Sequence, residues 1–469
     1  MKTRLSATLF LLFATLALIA QPKAKYVFYF IGDGMGVNQV NAAETYLAAL
    51  EGHIGTKPLT FASFPHVALV HTESATNGVT DSAAGGTALA TGSKTKNGAI
   101  GVDVQGETLT SIANYAQTCG MAVGVTTSVS IDHATPASFY AHDASRNSYH
   151  NIGHQLVAAG FDFYAGSDFL QPTHKDCKQN KSLYEAFEQA GYTLVRGEVT
   201  AKQIKKAKKM VMMQTEAANA IDRSALPYAI DRTEADIELT DIVNTAIKFL
   251  NKKSNDGFFL MVEGGKIDWA CHANDGATVI QETLDLDKAV QAAYAFYEKH
   301  PDETLIVVTA DHETGGMALG RGPYELHLDL LQHQKMSASN YTRHISQLHN
   351  QLGDEFTWDV VKDDLTKNFG FWGPVKISER DEKALRKAYD DLMSGKAEGK
   401  KSLYSQEDAI ATTARNIINR LALVGWTSGG HSNGYVPAFA IGVGAEQFHG
   451  RLNNTDIPAI IKNMIKTQE

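Results

Sequence analysis

The chain is punctuated by short, almost purely apolar runs: Tyr26–Ile31, Val67–Val70, Ala122–Val125, Phe161–Tyr164, Phe258–Val262, Leu305–Val308 and Phe439–Val443. Runs of this length, with little polar alternation, read as parallel strands buried on both faces. They alternate with segments of helical periodicity. Glu282–Lys299 is one, with Leu284, Ala289, Val290, Ala293 and Phe296 on a common face. The expected fold class is therefore α/β, a large and mainly parallel central sheet flanked by helices. With 469 residues there is room for one such domain with insertions, or for two to three domains. The net charge of −9 offers nucleic acid no basic surface.

Two regions depart from this rhythm. Residues 1–20 carry Lys2 and Arg4, an apolar stretch Leu9–Ile19, and Ala20 ahead of Gln21. This reads as a cleavable signal peptide, which predicts an exported chain, periplasmic or secreted. Its loss takes the net charge from −9 to −11, because Lys2 and Arg4 go with it. No other segment approaches transmembrane length. Residues from about 320 to 425 are rich in Lys, Asp, His and Gln and read as an inserted, mostly helical subdomain. Ser378–Asp381 resembles a helix cap followed by Leu385, Ala388, Tyr389 and Leu392, and Ile410, Ala414, Ile417, Ile418 and Leu421 mark a second amphipathic helix. The basic run Lys202–Lys209 reads as a solvated helix face or loop. Export would permit a disulfide, but Cys119, Cys177 and Cys271 are odd in number and widely spaced, and Cys119 reads as a buried thiol.

The chemistry gathers at strand ends. Tyr26–Ile31 runs into Asp33, Phe258–Val262 into Glu263, Leu305–Val308 into Asp311-His312, and Ala122–Val125 leads toward Asp132-His133-Ala134-Thr135. Ligands of open parallel sheets bind beyond the carboxyl ends of the strands. Several carboxylates at one such edge repel one another unless cations sit between them. Asp268 and His272, four apart in a helical context, can share a metal, and His431 lies in the glycine loop Ser428–Gly434. Taken singly, each has a plainer reading as a surface pair, a turn former or a loop histidine.

Ser82, in Thr80-Asp81-Ser82-Ala83-Ala84-Gly85-Gly86, sits where a helix begins. A hydroxyl there faces unpaired N–H groups and the positive end of the helix dipole, a setting for a phosphate-like anion with small residues leaving it room. Ser82 is thus a candidate nucleophile. The plainer reading is an N-cap.

As an ordered set, Gly32-Asp33-Gly34-Met35-Gly36, Thr80–Ala84, Val262-Glu263-Gly264 with Asp268 and His272, Thr309-Ala310-Asp311-His312 and His431 resemble the alkaline phosphatases, over about residues 25–320 and 425–460. The resemblance implies one catalytic domain over 21–469, hydrolysing small phosphate monoesters through a phosphoserine at Ser82. It implies two Zn2+ ions, one held by Asp268, His272 and His431 and the other by Asp33, Asp311 and His312. Asp33, Thr135 and Glu263 would take a third ion, normally Mg2+. Arg146 falls where the family places its phosphate-clamping arginine, and the family is often homodimeric. Two positions vary among members: His133, a third-site residue that others replace with Asp, and Trp269, which others replace with Lys or His and which bears on substrate preference. Two other classes stay open, a phosphodiesterase of the same superfamily and a non-catalytic exported metal- or phosphate-binding protein. A sulfatase is disfavoured, since Ser82–Gly85 lacks the Cys-x-Pro-x-Arg type setting.

Overall fold

The strand Tyr26–Gly32 (β1) runs through the middle of a sheet that has ten strands among the described residues. The structure, a computed structural model, describes residues 23–173, 182–396 and 399–465. The expected signal segment 1–20 and Cys177 lie outside them. The other strands are β2 (His66–His71), β3 (Ala122–Thr127), β4 (Phe163–Gly166), β5 (Tyr192–Arg196), β6 (Lys209–Met213), β7 (Phe258–Gly264), β8 (Thr304–Thr309), and the two late strands Val436–Gly442 and Gly450–Asn453. From one edge the order is Gly450–Asn453, β2, Val436–Gly442, β8, β1, β7, β3, β4, β6, β5. All neighbours pair parallel except Val436–Gly442, which runs antiparallel to both β2 and β8.

All residues of β1, β3, β7 and β8 are buried. Removing each large apolar side chain from water contributes about 1.5–3 kcal/mol, against a conformational-entropy cost of similar total size. Register matters more to function. Ile31 lies beside both Glu263 on β7 and Thr309 on β8, and Thr127 of β3 lies on the other side of Glu263. The acid-bearing ends of β8, β1, β7 and β3 are therefore consecutive in the sheet. Helix Gly276–Tyr297 packs along β1, β7 and β8, and helix Leu239–Leu250 along β3, β4 and β7.

Several sequence expectations change in detail. The run Phe439–Val443 belongs to the antiparallel strand, not a parallel one. Strand β2 is only half-covered: Val67 and Leu69 are 47% and 44% exposed. The basic run divides into helix Ala201–Lys206 and the start of β6. Strands β5, β6 and Gly450–Asn453 were hidden by their short length and polar residues. On the long helix, Leu284 is half-buried while Asp285 and Asp287 are buried, because Arg232 binds Asp285 through both guanidinium nitrogens at 2.7 and 2.5 Å and Asp287 accepts from Phe61 N at 3.2 Å.

Between 320 and 425 lie helices Ala338–Leu352, Trp358–Phe369, Glu379–Met393 and Ala409–Leu421, and a small hairpin pairing Lys400–Lys401 with Gln406–Glu407. The Ser378 cap forms: its hydroxyl accepts from Asp381 N at 3.3 Å, and Asp381 accepts from Ser378 N at 3.0 Å. Cys119 and Cys271 are free, buried thiols.

Candidate active site

Asp33 follows β1, Glu263 stands on β7, Asp311 and His312 follow β8, and beyond β3 His133 stands at the N-cap of the short helix Ala134–Ala137, which carries Thr135. Helix Lys266–Ala273, starting directly after β7, carries Asp268, Trp269 and His272 within its first two turns. His431 arrives in a two-residue strand, His431–Ser432, paired with Glu313–Thr314 rather than in an irregular glycine loop. Gly34 makes the approach of these parts feasible. Its φ is +72°, and a Cβ there would stand 2.9 Å from the Asp268 backbone.

The structure brings the expected residues together in three groups, Asp268/His272/His431, Asp33/Asp311/His312 and Asp33/His133/Glu263. Within each group the potential ligand atoms all lie within 4.8 Å of one another. Asp33 belongs to two of them. His272 Nε2 is 3.3 Å from Asp268 Oδ2, and His312 Nε2 is 3.3 Å from both Asp33 Oδ1 and Asp311 Oδ2.

Two observations show that this donor set fits cations. First, Asp33 Oδ1 and Oδ2, Glu263 Oε1, Asp268 Oδ2, Asp311 Oδ2 and Thr135 Oγ1 are buried without a hydrogen-bond partner. Buried carboxylate oxygens are costly in that state. Second, the imidazoles are oriented from behind. His272 Nδ1 lies 2.6 Å from Gly429 O and His431 Nδ1 2.8 Å from Thr80 O, and both carbonyls can only accept. Nδ1 therefore carries the hydrogen, and in the neutral ring Nε2 turns a lone pair inward. The two Nε2 atoms face each other at 3.2 Å, a contact that suits a shared positive centre. Mixed imidazole and carboxylate ligands suit zinc. The third group has the same make-up as the second, two carboxylates and one imidazole, and becomes richer in oxygen, as magnesium prefers, only where the Thr135 hydroxyl joins it.

The electrostatics agree. Burial, then repulsion from Asp311, Asp268 and Glu263, pushes Asp33 well above the usual carboxylate range, and burial and Asp268 do the same to Asp311. Burial takes Glu263 up to about 7 although the Thr127 hydroxyl donates to it. For Asp268 burial is outweighed by His272, His431 and His312, which hold its carboxyl far down. Burial, with Arg146 beside it, pushes His133 down to about 3, so its imidazole is neutral.

Ser82 is the first residue of helix Ser82–Thr91, and the N-cap is Asp81. Asp81 Oδ1 accepts from Ala84 N and Gly98 N, each at 3.0 Å, which leaves the capping role to Asp81 rather than Ser82. The Ser82 hydroxyl is instead 3.2 Å from His312 Nε2. The glycines beyond it do not leave room for an anion. A Cβ on Gly85 would meet Asp311 O at 2.9 Å and one on Gly86 would meet Ser138 Oγ at 3.0 Å, so they let the helix dock against protein.

Arg146 donates from Nη1 to Asp81 Oδ2 at 3.0 Å, and its Nη2 lies 3.4 Å from both His133 Nε2 and the Tyr404 hydroxyl. Trp269 is buried and stacks on Tyr404, with centroids 4.4 Å apart and planes 7° from parallel. The His133 ring stands edgewise to Trp269 at 6.1 Å. Sequence reasoning missed three residues here. Asp81 lay inside the serine motif, unassigned. Thr314, two residues past His312, donates to Asp268 Oδ1 at 2.6 Å and lies 3.2 Å from His312 Nδ1. Tyr404 sits in the hairpin of the 320–425 region, where no motif marks it.

Comparison with known proteins converges on one family. The family profile described as "Alkaline phosphatase" matches residues 24–165 and 158–467. Alkaline phosphatase 4 of Bacillus subtilis (strain 168) is 32% identical over 94% of this chain and 88% of its own length. Alkaline phosphatase of Escherichia coli (strain K12) is 32% identical over 63% of this chain and 71% of its own. Among solved structures, the cold-active alkaline phosphatase of Shewanella sp. aligns with a TM-score of 0.78 at 27% identity, over 94% of this chain and 100% of that one. The Thermus thermophilus enzyme aligns at 0.75 and 26%, over 97% and 95%. Shared over nearly its full described length, in sequence and in fold, these likenesses place the chain in the alkaline phosphatase family, as a hydrolase of phosphate monoesters.

Proposed function

We propose that the chain is an exported, metal-dependent phosphomonoesterase that works through a phosphoserine at Ser82. The observation that carries this is the position of the Ser82 hydroxyl, 3.2 Å from His312 Nε2 and free of capping, at the edge of a buried set of carboxylate oxygens that lack donors. Asp268, His272 and His431 would hold one zinc ion, and Asp33, Asp311 and His312 the second. Asp33, Glu263 and Thr135, with His133 facing them, would hold magnesium. A solved variant of the alkaline phosphatase from the Antarctic bacterium TAB5, in which a histidine is replaced by aspartate, 25% identical to this chain with a TM-score of 0.65, has Mg bound in its M3 site, which supports a third metal position. When bound, the two zinc ions supply Lewis acidity, lowering the pKa of a serine hydroxyl and offsetting charge on a leaving oxygen.

The chain's own residues do the rest. Ser82 Oγ loses its proton and attacks phosphorus. The Oγ–P bond forms as the ester O–P bond breaks, and the leaving oxygen gains one proton, balancing the one lost by Ser82, to depart as the alcohol. Water then attacks the phosphoserine, returning the Ser82 hydroxyl and releasing inorganic phosphate. Arg146, held by Asp81, aims a planar fork at the non-bridging oxygens, where charge must be offset in both steps. Because Asp81 both caps the Ser82 helix and anchors Arg146, one side chain sets nucleophile and clamp relative to each other. Residues 21–469 act as one catalytic domain, with 320–425 as its crown-like insertion, and a homodimer is the assembly that the family resemblance implies. Among the described residues no helix is long and apolar enough to cross a membrane.

The test is phosphate release from aryl monoester and diester substrates by the metal-loaded protein and by Ser82→Ala, with trapping of labelled phosphate on the protein. Monoester turnover that persists unchanged in Ser82→Ala overturns the nucleophile assignment. A diester rate that exceeds the monoester rate overturns the substrate class.

A further inference from the structure

We propose that Tyr404 is a positioning residue for Arg146 and a specificity-determining wall of the phosphate site, supplied by the 320–425 insertion. This deepens the reading above and rests on it. Tyr404 lies at the turn of the hairpin Lys400–Lys401/Gln406–Glu407, outside every motif that supplies the rest of the site.

The hairpin is anchored rather than loose. Buried Glu407 receives Arg415 Nη2 at 2.7 Å and Nε at 3.2 Å from helix Ala409–Leu421, itself buried. Asp408 N donates to Thr342 Oγ1 at 3.0 Å on helix Ala338–Leu352. Ser402 and Ser405 close the turn through a 2.7 Å hydroxyl contact. These bonds deliver the Tyr404 ring onto Trp269 in a near-parallel stack, with its edge toward His133 at 6.0 Å and His272 at 5.5 Å.

Two consequences follow from chemistry. An arginine has only donors, so at the 3.4 Å contact Arg146 Nη2 donates and the Tyr404 oxygen accepts. The guanidinium is then braced by Asp81 at Nη1 and by Tyr404 together with His133 at Nη2, which fixes the plane of the fork. The Tyr404 O–H is left over as a donor beside that fork, where an anionic oxygen held by Arg146 would accept it. The stacked rings also form a partition. Both Trp269 and Tyr404 line a cavity of about 450 Å³ that continues past Tyr228, Lys266 and Arg343 and is lined by none of the carboxylates of the three metal groups. With the Tyr404 ring in place the site stays closed on that side and favours a compact phosphoryl group. With the ring removed, a second ester substituent gains space.

The experiment uses the full-length, metal-loaded enzyme and separates hydroxyl from ring. Tyr404→Phe keeps the stack and removes the brace, and Tyr404→Ala removes both. The readouts are inorganic phosphate affinity by calorimetry and the diester-to-monoester ratio of kcat/KM for nitrophenyl esters. Tyr404→Phe is expected to weaken phosphate binding about threefold to tenfold, the worth of one hydrogen bond, with the ratio unchanged. That loss should vanish in an Arg146→Ala background. Tyr404→Ala is expected to raise the ratio at least about threefold as well, the scale on which pocket shape discriminates. Wild-type phosphate affinity in Tyr404→Phe, or a loss that persists in full without Arg146, overturns the positioning role. A wild-type ratio in Tyr404→Ala overturns the wall. Calorimetry reads the Tyr404–Arg146 contact even if no monoester is turned over, so failure of the phosphomonoesterase reading shows separately, in the wild-type rates.

Discussion

Thr314 offers the sharpest test of how the two proposed zinc positions are tied together. Its hydroxyl donates to Asp268 Oδ1 at 2.6 Å and stands 3.2 Å from His312 Nδ1, so one buried oxygen orients a ligand from each group. Thr314 is fully buried, as are both partners. Thr314→Val keeps the shape and removes the donor and the acceptor. Asp268 Oδ1 then loses the Thr314 donor, and the His312 Nδ1–H loses its acceptor, freeing the ring to adopt the other tautomer. Each buried polar group stranded in this way costs about 1–3 kcal/mol, and loss of a ligand-orienting partner at a metal site typically lowers metal affinity about 10–100-fold. The assay is zinc competition against a chelator of known affinity, counting ions retained per chain, beside the melting temperature of the metal-free protein. Expected are two weakened zinc sites and near-wild-type retention in Thr314→Ser, which restores the hydroxyl. Zinc affinity unchanged in Thr314→Val would refute the argument that a single hydroxyl couples the groups, and an equal loss in Thr314→Ser would show that packing, not hydrogen bonding, is responsible.

Other outcomes follow from the same geometry. Ser82→Ala should retain its full metal content while losing phosphoserine formation entirely and turnover by at least about 10³-fold, as for the loss of other enzymatic nucleophiles; a rapid-quench experiment with labelled substrate reads both. In the metal-free protein Glu263 titrates at about 7 when folded, above its unfolded value, so its contribution is fully present below pH ~4.5 and is lost through pH ~7, roughly 3 kcal/mol in all, with Asp33 and Asp311 acting in the same direction. His133 and His312, both held low by burial, act in the opposite direction, and their effect is complete by pH ~6.5, so the fall in stability is expected above that pH. Denaturant titrations of the chelated protein at pH ~6.5 and pH ~8 check the sign, and added zinc should abolish the trend. Arg415→Ala strands Glu407, which is buried at 2% exposure, and should cost about 3–5 kcal/mol of stability by removing one partner of a buried ion pair; thermal unfolding gives the value, and a shift within error would mean the pair is dispensable to the hairpin.

The chemistry of this site was largely legible before folding because it travels in short motifs. An acid two residues past an apolar run, an Asp-His pair at a strand end, and Asp and His four apart on a helix are local patterns, and local spacing decides where such side chains project. Asp33, Glu263, Asp268, His272, Asp311, His312 and His431 come together as those patterns suggested. The role of Asp81 was not legible, although it adjoins Ser82. A cap and an arginine anchor differ only in what lies opposite, and Gly98 and Arg146 lie opposite because of the fold. Gly85 and Gly86 were misread for the same reason. Their smallness serves contacts with Asp311 and Ser138, which are remote in sequence.

By itself, then, the order of apolar runs and acidic residues determined an α/β chain with a polyanionic edge in need of cations and a serine beside it. Hydrophobic periodicity and motif spacing act over a few residues, and both survive without knowledge of neighbours. The tertiary structure alone decided that β8, β1, β7 and β3 stand side by side, so that four separate strand ends become one centre. It alone brought Tyr404 from the 320–425 region onto Trp269 and Arg146. Strand order and the docking of an insertion are set by packing between elements hundreds of residues apart, and that energy is written in no single stretch of the chain.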